Sequence, residues 1–550
     1  MRTIGRTSWK RRAMLLITAG LLALAGCGAP GSQDTLPTQR PDENGKSDAS
    51  ALATFLTFEF DASFFVSSSW GTKQQIENQL LYTIGQLNGE NSVGRLDHVE
   101  LSTIESNPTE GGYLVSYHAK MLVAWGNKND IPERYELLLP RDMTYDGLET
   151  FTERYKHDCV DWGAHDVDPN SMWYYYRPKS SSCRLQEGDT ISAVATVRPS
   201  EVTTTGRYPE YHKIWEDGVF RSVVIFGKYE DGATSNSDPG IAAFNGFVAS
   251  VKTRLSAYEL TTVPESLTTT PGVANPDVTI SATLPDGKKV EVVVLLIDGV
   301  RSAPPSFDTR YASISGKADF IAYNGHSGLG ANIRALAQKG KWETGQYSVI
   351  FMNGCDTYAY VDSALYDARV AVNPDDTKGT KYLDLVMNAM PAPSREAGNN
   401  TLAIFEGLLA YDAPKTYEQI FKGIGSSQVV LVSGEEDNVY HPGFDGTPSD
   451  PEPWNGLDES GSILKDAEQR FVTPTLKPGT YLFQLSGSGD ADLYLRIGDD
   501  PSTSLYDCRP YRYGTDEACK VTINSAAKLH LMVRGWDDSS DFRLVGTRAE

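Results

Sequence analysis

Apolar and polar residues alternate in Thr54-Phe-Leu-Thr-Phe-Glu-Phe60, a period of two that predicts a strand with one buried face. Ile76, Leu80, Ile84 and Leu87 then recur at helical spacing. Extended segments follow at 99–104, 112–125 and 134–139, with a second helix near 148–155. This order predicts a small α+β domain over residues 52–200.

From about Thr203 the pattern changes. Val223-Val-Ile-Phe226 reads as a short buried strand. Asp238-Pro239 is a helix start before Ile241, Phe244, Phe247, Val251 and Leu255, which share one face. Val278–Thr283, the turn Pro285-Asp-Gly287 and Val290–Ile297 read as a hairpin whose second arm is continuously apolar. Two more apolar runs end at His326 and Cys355, separated by a helix over 331–338. Helices over 382–390, 402–411 and 417–424 and a strand over 428–432 complete the segment. Continuous apolar strands imply a sheet covered on both faces, hence a central three-layer α/β domain over 203–440.

Residues 441–467, rich in Gly, Pro, Asp and Glu, read as a linker. Beyond it, short strands at 480–485, 492–496, 520–523, 529–533 and 542–545, with no helix between them, predict an all-β sandwich over 468–550.

The start of the chain adds a compartment. Arg2, Arg6, Lys10, Arg11 and Arg12 precede the apolar run 13–25, and small residues lead to Cys27, the layout of an export signal over residues 1–26. Leu24-Ala-Gly-Cys27 resembles the lipobox of bacterial lipoproteins. That resemblance makes Cys27 the lipidated N-terminus and places the protein in the bacterial cell envelope, with Gly28 in the next position tilting towards the outer membrane. Residues 27–51 are too polar to order themselves and read as a tether.

Without the signal's five basic residues, 45 Lys and Arg stand against 72 Asp and Glu, a formal charge of about −27. This balance opposes binding to nucleic acid or to an anionic membrane surface. In an oxidising compartment cysteines pair, and Cys159 with Cys183 and Cys508 with Cys519 are close in sequence. Cys355 is left over. The cluster His157, Asp158, Cys159, His165, Asp166 and Asp168 fits no standard zinc spacing and reads as a disulfide-bearing loop.

His326 and Cys355 end two apolar runs, and the 28 residues between them suffice for one helical crossover joining parallel strands. Open α/β sheets carry their sites at the carboxyl ends of strands. A thiol of ordinary pKa near 8.5 needs a neighbouring base to react as thiolate, and His326 is the candidate. Gly325-His-Ser-Gly-Leu329 lacks the second glycine of a serine-hydrolase elbow, and no Gly-Lys-Ser/Thr follows to make a phosphate loop.

The order of apolar strand, histidine in a small-residue loop, helix, apolar strand and small residue before cysteine resembles the caspase, gingipain and legumain clan of cysteine peptidases. The resemblance covers roughly residues 205–440 and is strongest in Phe320–Gly328 and Val349–Cys355. It implies a caspase-like fold, Cys355 as nucleophile and His326 as general acid/base. The oxyanion would be held by the backbone N–H groups of Ser327 and Cys355, and the substrate is a protein or peptide. No cofactor is required. The clan's usual His-Gly and Ala-Cys are here His326-Ser327 and Gly354-Cys355. Asp356, Glu435, Glu436 and Asp437 are candidates for a pocket that takes a basic side chain, although solvated surface is the commoner role of such carboxylates.

Residues 474–545 resemble the bacterial pre-peptidase C-terminal domain in Gly489-Asp-Ala-Asp-Leu-Tyr494, Tyr506-Asp-Cys-Arg-Pro-Tyr511 and Glu517-Ala-Cys519. The resemblance implies a module that accompanies secreted peptidases. It makes calcium a candidate ion, with Asp490 and Asp492 as ligands; the alternative role of these carboxylates is a polar turn. The competing reading of the whole chain is a non-catalytic surface lipoprotein whose degenerate peptidase fold binds protein or polysaccharide.

Overall fold

A computed structural model describes residues 53–549 apart from 97–98, 128–129, 163, 165–166, 201–205, 329, 426–427, 445–453, 478, 511 and 524–526. The export signal, Cys27, the tether, His165 and Asp166 lie outside the described residues.

The N-terminal part is an antiparallel six-stranded sheet. Its strands are β1 (Thr54–Val66), β2 (Val93–Gly94), β3 (Glu100–Thr109), β4 (Gly112–Trp125), β5 (Arg134–Pro140) and β6 (Thr190–Pro199), in the order β2-β4-β1-β6-β5 with β3 also on β4. The alternation seen from Thr54 continues to Val66, so that Leu56, Phe58, Phe60 and Phe64 are buried on one face. Strand β6 has no counterpart in the sequence reading. Its buried face is built largely from Ala193, Ala195 and Val197, and small side chains leave little amphipathic signal.

The central part is an eight-stranded sheet. Its strands are β7 (Val219–Gly227), β8 (Glu259–Val263), β9 (Asp277–Thr283), β10 (Lys289–Ile297), β11 (Phe320–Asn324), β12 (Ser348–Asn353), β13 (Leu383–Asn388) and β14 (Val430–Ser433), in the order β14-β13-β12-β11-β7-β10-β9-β8. Five neighbours, β13, β12, β11, β7 and β10, run parallel, and the hairpin arm β9 returns antiparallel on β10 as expected. Each parallel strand divides its side chains between two cores. Val223, Ile225, Ile321, Tyr323, Ile350 and Met352 face the helices Pro305–Ser315 and Ala331–Lys339. Phe220, Val224, Phe226, Ala322, Val349 and Phe351 face the helices Pro239–Leu255 and Ala397–Leu409. Asp238 caps the first of these, its side chain accepting from the Ile241 amide at 3.0 Å.

Two readings are corrected. The segment read as a helix over 382–390 contains β13, buried along its whole length between β12 and β14. A short apolar run has no period to separate strand from helix, and here pairing on both edges decides. The segment read as linker contains β15 (Leu457–Leu464), a largely exposed edge strand antiparallel to the last strand. Its polar composition suits an edge and hides it in the sequence.

The remaining strands are β16 (Glu468–Val472), β17 (Gly479–Ser488), β18 (Ala491–Ile497), β19 (Glu517–Ile523), β20 (Leu529–Gly535) and β21 (Ser539–Arg548). They complete two antiparallel sheets, β15-β21-β17-β19 and β16-β20-β18, around one core that includes Phe483, Leu493, Leu531 and Leu544. Among the described residues no helix is long and apolar enough to cross a membrane.

Candidate active site

The strand order of the central sheet reverses beside β7: the chain runs from β7 to β10 on one side and then to β11 on the other. The carboxyl ends of β7 and β11 therefore flank the topological switch point, the place where open α/β sheets bind ligands. Asn324 of β11 pairs in register with Asn353 of β12, so His326 and Cys355 each stand two residues beyond paired strand ends. The two residues therefore follow neighbouring parallel strands at the same level.

A ladder of buried asparagines closes the strand ends. The Asn353 amide donates to Asn324 Oδ1 at 2.8 Å, and the Asn388 amide donates to Asn353 Oδ1 at 2.9 Å. Thr401 Oγ1 donates to Asn324 Oδ1 at 2.7 Å, and Asn388 Nδ2 also reaches the Gly354 carbonyl at 3.2 Å. Buried amides are costly unless bonded, and here each satisfies the next while fixing the loop that carries Cys355. The sequence analysis did not single these residues out. The signal was a repeated ending: Ala-Tyr-Asn324-Gly, Phe-Met-Asn353-Gly and Val-Met-Asn388-Ala.

His326 is half-buried. Its Nε2 lies 3.0 Å from the carbonyl of Tyr229, just beyond β7, and its ring tilts over the Tyr229 ring at 5.4 Å. A carbonyl only accepts, so Nε2 carries the proton and Nδ1 is the basic nitrogen of the neutral ring. The His326 carbonyl accepts from Tyr323 Oη at 2.9 Å and Asn332 Nδ2 at 2.7 Å, which holds the loop from both sides.

The two loops touch through glycines. A Cβ on Gly354 would lie 2.8 Å from the Gly325 carbonyl oxygen and 3.3 Å from the Ser327 nitrogen, and one on Gly325 would lie 2.9 Å from Tyr323 Oη. This close approach accounts for glycine at 354 and 325. Positive φ angles in the histidine loop fall on Gly328 and Gly330, so Ser327 needs no glycine-like conformation. Ser327 is buried, with its backbone nitrogen towards Gly354.

Cys355 is 2% exposed and forms no disulfide, whereas Cys159–Cys183 and Cys508–Cys519 are bonded as expected. Asp356 is buried and bonded to Asn88 of the N-terminal part at 2.8 Å, and Glu435 is buried as well. For these two, surface solvation is corrected. Asp437 accepts from Thr380 at 2.9 Å. On the rim, the Lys228 ammonium at 2.9 Å holds Asp298 below the usual carboxylate range.

In the sandwich, Asp492 accepts from Arg509 at 2.8 Å and from the Trp536 indole, and Asp490 Oδ1 accepts from the Gly514 amide at 3.1 Å. Glu517 accepts from the Leu493 amide at 2.6 Å, and burial pushes its carboxyl up to about 7. Among the described residues no group of three His, Cys, Asp or Glu is disposed to hold a metal.

Residues 476–535 match the bacterial pre-peptidase C-terminal domain family. The neutral protease of Vibrio proteolyticus is 39% identical over 78 residues, 14% of this chain and 12% of that protein. The zinc metalloprotease of Helicobacter pylori is 38% identical over 93 residues, 17% of this chain and 35% of that protein. A solved structure described as the solution structure of vEP C-ter 100 is 39% identical, covers 15% of this chain and 83% of that one, and has a TM-score of 0.14. The chain thus spans only a small part of the length of these proteases, and the shared stretch is the C-terminal module. In those two relatives the shared stretch accompanies a protease.

Proposed function

We propose that the protein is a cysteine endopeptidase of the caspase and gingipain type, with Cys355 as nucleophile and His326 as general acid/base. The observation that carries the reading is the equal register of the two residues beyond adjacent parallel strands, at the point where the sheet order reverses. Nδ1 of His326 takes the proton from Cys355 Sγ, and the thiolate adds to the scissile carbonyl. The backbone N–H groups of Cys355 and Ser327 receive the oxyanion. His326 returns the proton to the leaving amine as the C–N bond breaks, and water then hydrolyses the thioester. We further propose that Cys27 anchors the chain by lipid in the bacterial envelope, which a Cys27→Ala variant released from membranes would support.

The burial of Cys355 favours a second reading, a fold that is latent or binds without cleaving. The test is cleavage of a fluorogenic peptide library by the chain from Gly28 on, beside Cys355→Ala and His326→Ala, with alkylation of Cys355 measured in parallel. An ordinary thiol is roughly 3% thiolate at pH 7, so activation by His326 can raise alkylation by up to about 30-fold. The peptidase reading expects turnover lost in both variants and alkylation slowed in His326→Ala. No turnover, with alkylation indifferent to His326, overturns it.

A further inference from the structure

Three alternate residues after Cys355 are each held by the N-terminal part. Asn88 Nδ2 donates to Asp356 Oδ1 at 2.8 Å. Tyr358 packs on Phe55 at 6.0 Å between ring centroids and lies under the Arg95 guanidinium at 5.6 Å. Tyr360 meets Trp173 edge-on at 6.3 Å. We infer that Asn88 and Asp356 form a positioning pair for the nucleophile, which makes the N-terminal part a constituent of the reactive site; the inference rests on the proposed role of Cys355.

Asp356 follows Cys355 directly and sits at φ +48° and ψ +34°, a left-handed conformation that only Asn and Asp among ordinary side chains tolerate well. Its amide donates to the Met390 carbonyl at 3.2 Å. Asn88 ends the helix Tyr82–Asn88 and also donates to the carbonyls of Ala389, at 3.4 Å, and Ser92, at 3.1 Å. One buried amide thus ties the segments after β12 and β13 to the N-terminal part, across 268 and 301 residues of chain. The peptide joining residues 355 and 356 takes its orientation from the left-handed turn. That peptide bounds the Cys355 backbone on its carboxyl side, so a displacement of it would carry Cys355 along. Both partners are buried, so the bond is made in a low dielectric, where an unmatched partner is expensive.

The test uses the chain from Gly28 on with Asn88→Asp, Asp356→Asn and the two combined. Asn88→Asp sets two carboxylates face to face. The combined exchange restores one donor and one acceptor with the roles reversed and keeps a side chain suited to the left-handed turn. Asn88→Asp is expected to slow iodoacetamide alkylation of Cys355 about tenfold and to lower kcat with KM little changed, and the exchange, which restores the 88–356 bond but not the donations to Ser92 and Ala389, is expected to recover part of both losses. Hydrogen exchange of the 355–360 amides needs neither reagent access nor turnover and is expected to rank the variants in the same order. Should Asn88→Asp fail to fold, Asn88→Ala replaces it, with faster exchange of the same amides expected. Rates within about twofold of wild type, or an exchange no better than its parents, overturn the inference. A wild type without turnover, its alkylation indifferent to His326, sinks the peptidase reading alone, because the alkylation and exchange rankings of the Asn88 and Asp356 variants still decide the positioning role.

Discussion

Replacing Asn353 by alanine removes the middle rung of the ladder at the strand ends. Two bonds disappear, the 2.8 Å donation to Asn324 and the 2.9 Å donation from Asn388, together with a longer one to the Ala397 carbonyl at 3.4 Å. The neighbours are not stranded completely. Asn324 Oδ1 keeps Thr401, and Asn388 Nδ2 keeps the Gly354 carbonyl. Two net hydrogen bonds of about 1 kcal/mol each, plus the void left by an amide in a buried site, give a cost of roughly 2–4 kcal/mol. For a unit of this size that corresponds to a fall in melting temperature of about 10 °C.

Scanning calorimetry of wild type and Asn353→Ala measures the shift, and a second pair sharpens it. In Asn388→Ala the same Asn353–Asn388 bond is lost, so the double variant should be less destabilised than the sum of the two, by about 1 kcal/mol. A shift under about 2 °C, or strict additivity, would mean that the ladder contributes little beyond its shape. The loop it fixes carries Cys355, so alkylation of the thiol should change along with stability if the ladder also sets the reactive geometry.

Gly354→Ala should cost about 1–3 kcal/mol, because its Cβ meets the Gly325 carbonyl at 2.8 Å; a neutral change in urea unfolding would show that the two loops can separate freely. Asp384 is buried among Tyr347, Tyr417 and Asn438, and burial pushes its carboxyl up to about 7, against about 3.9 unfolded. The native chain holds this proton more tightly, so stability relative to Asp384→Asn should fall as pH rises from about 4 to about 7 and level off above; a flat difference contradicts this. Chelating calcium should move the melting of the sandwich by less than about 1 °C, because Asp492 is already paired with Arg509, whereas a drop of several degrees would support Asp490 and Asp492 as calcium ligands.

What could be read from the chain was whatever had a local period or a local spacing. The helix from Pro239 announced its cap and its apolar face, and the His326 and Cys355 runs announced two parallel strands joined by a crossover. Strand β13 did not, because Leu383-Asp-Leu-Val-Met carries no period and buries an aspartate. Comparison of strand endings would have recovered it, since Asn388 repeats the pattern of Asn324 and Asn353. Strand β15 was hidden for the opposite reason: an edge exposed to water keeps polar residues, and polar residues resemble a linker.

The contact of Asn88 with Asp356 had no local signal at all, yet it bears on whether the N-terminal part is a detachable cover. A cover that leaves during maturation should meet its partner through groups that water can satisfy afterwards. Here the apolar core runs without interruption from Phe58 and Leu87 to Tyr358 and Leu385. Arg95, itself buried, also reaches Ser433 Oγ at 3.4 Å. Departure of residues 53–200 would leave Asp356 without its Asn88 donor and expose Tyr358 close to Cys355. Such an interface resembles the inside of one folded body more than a transient lid.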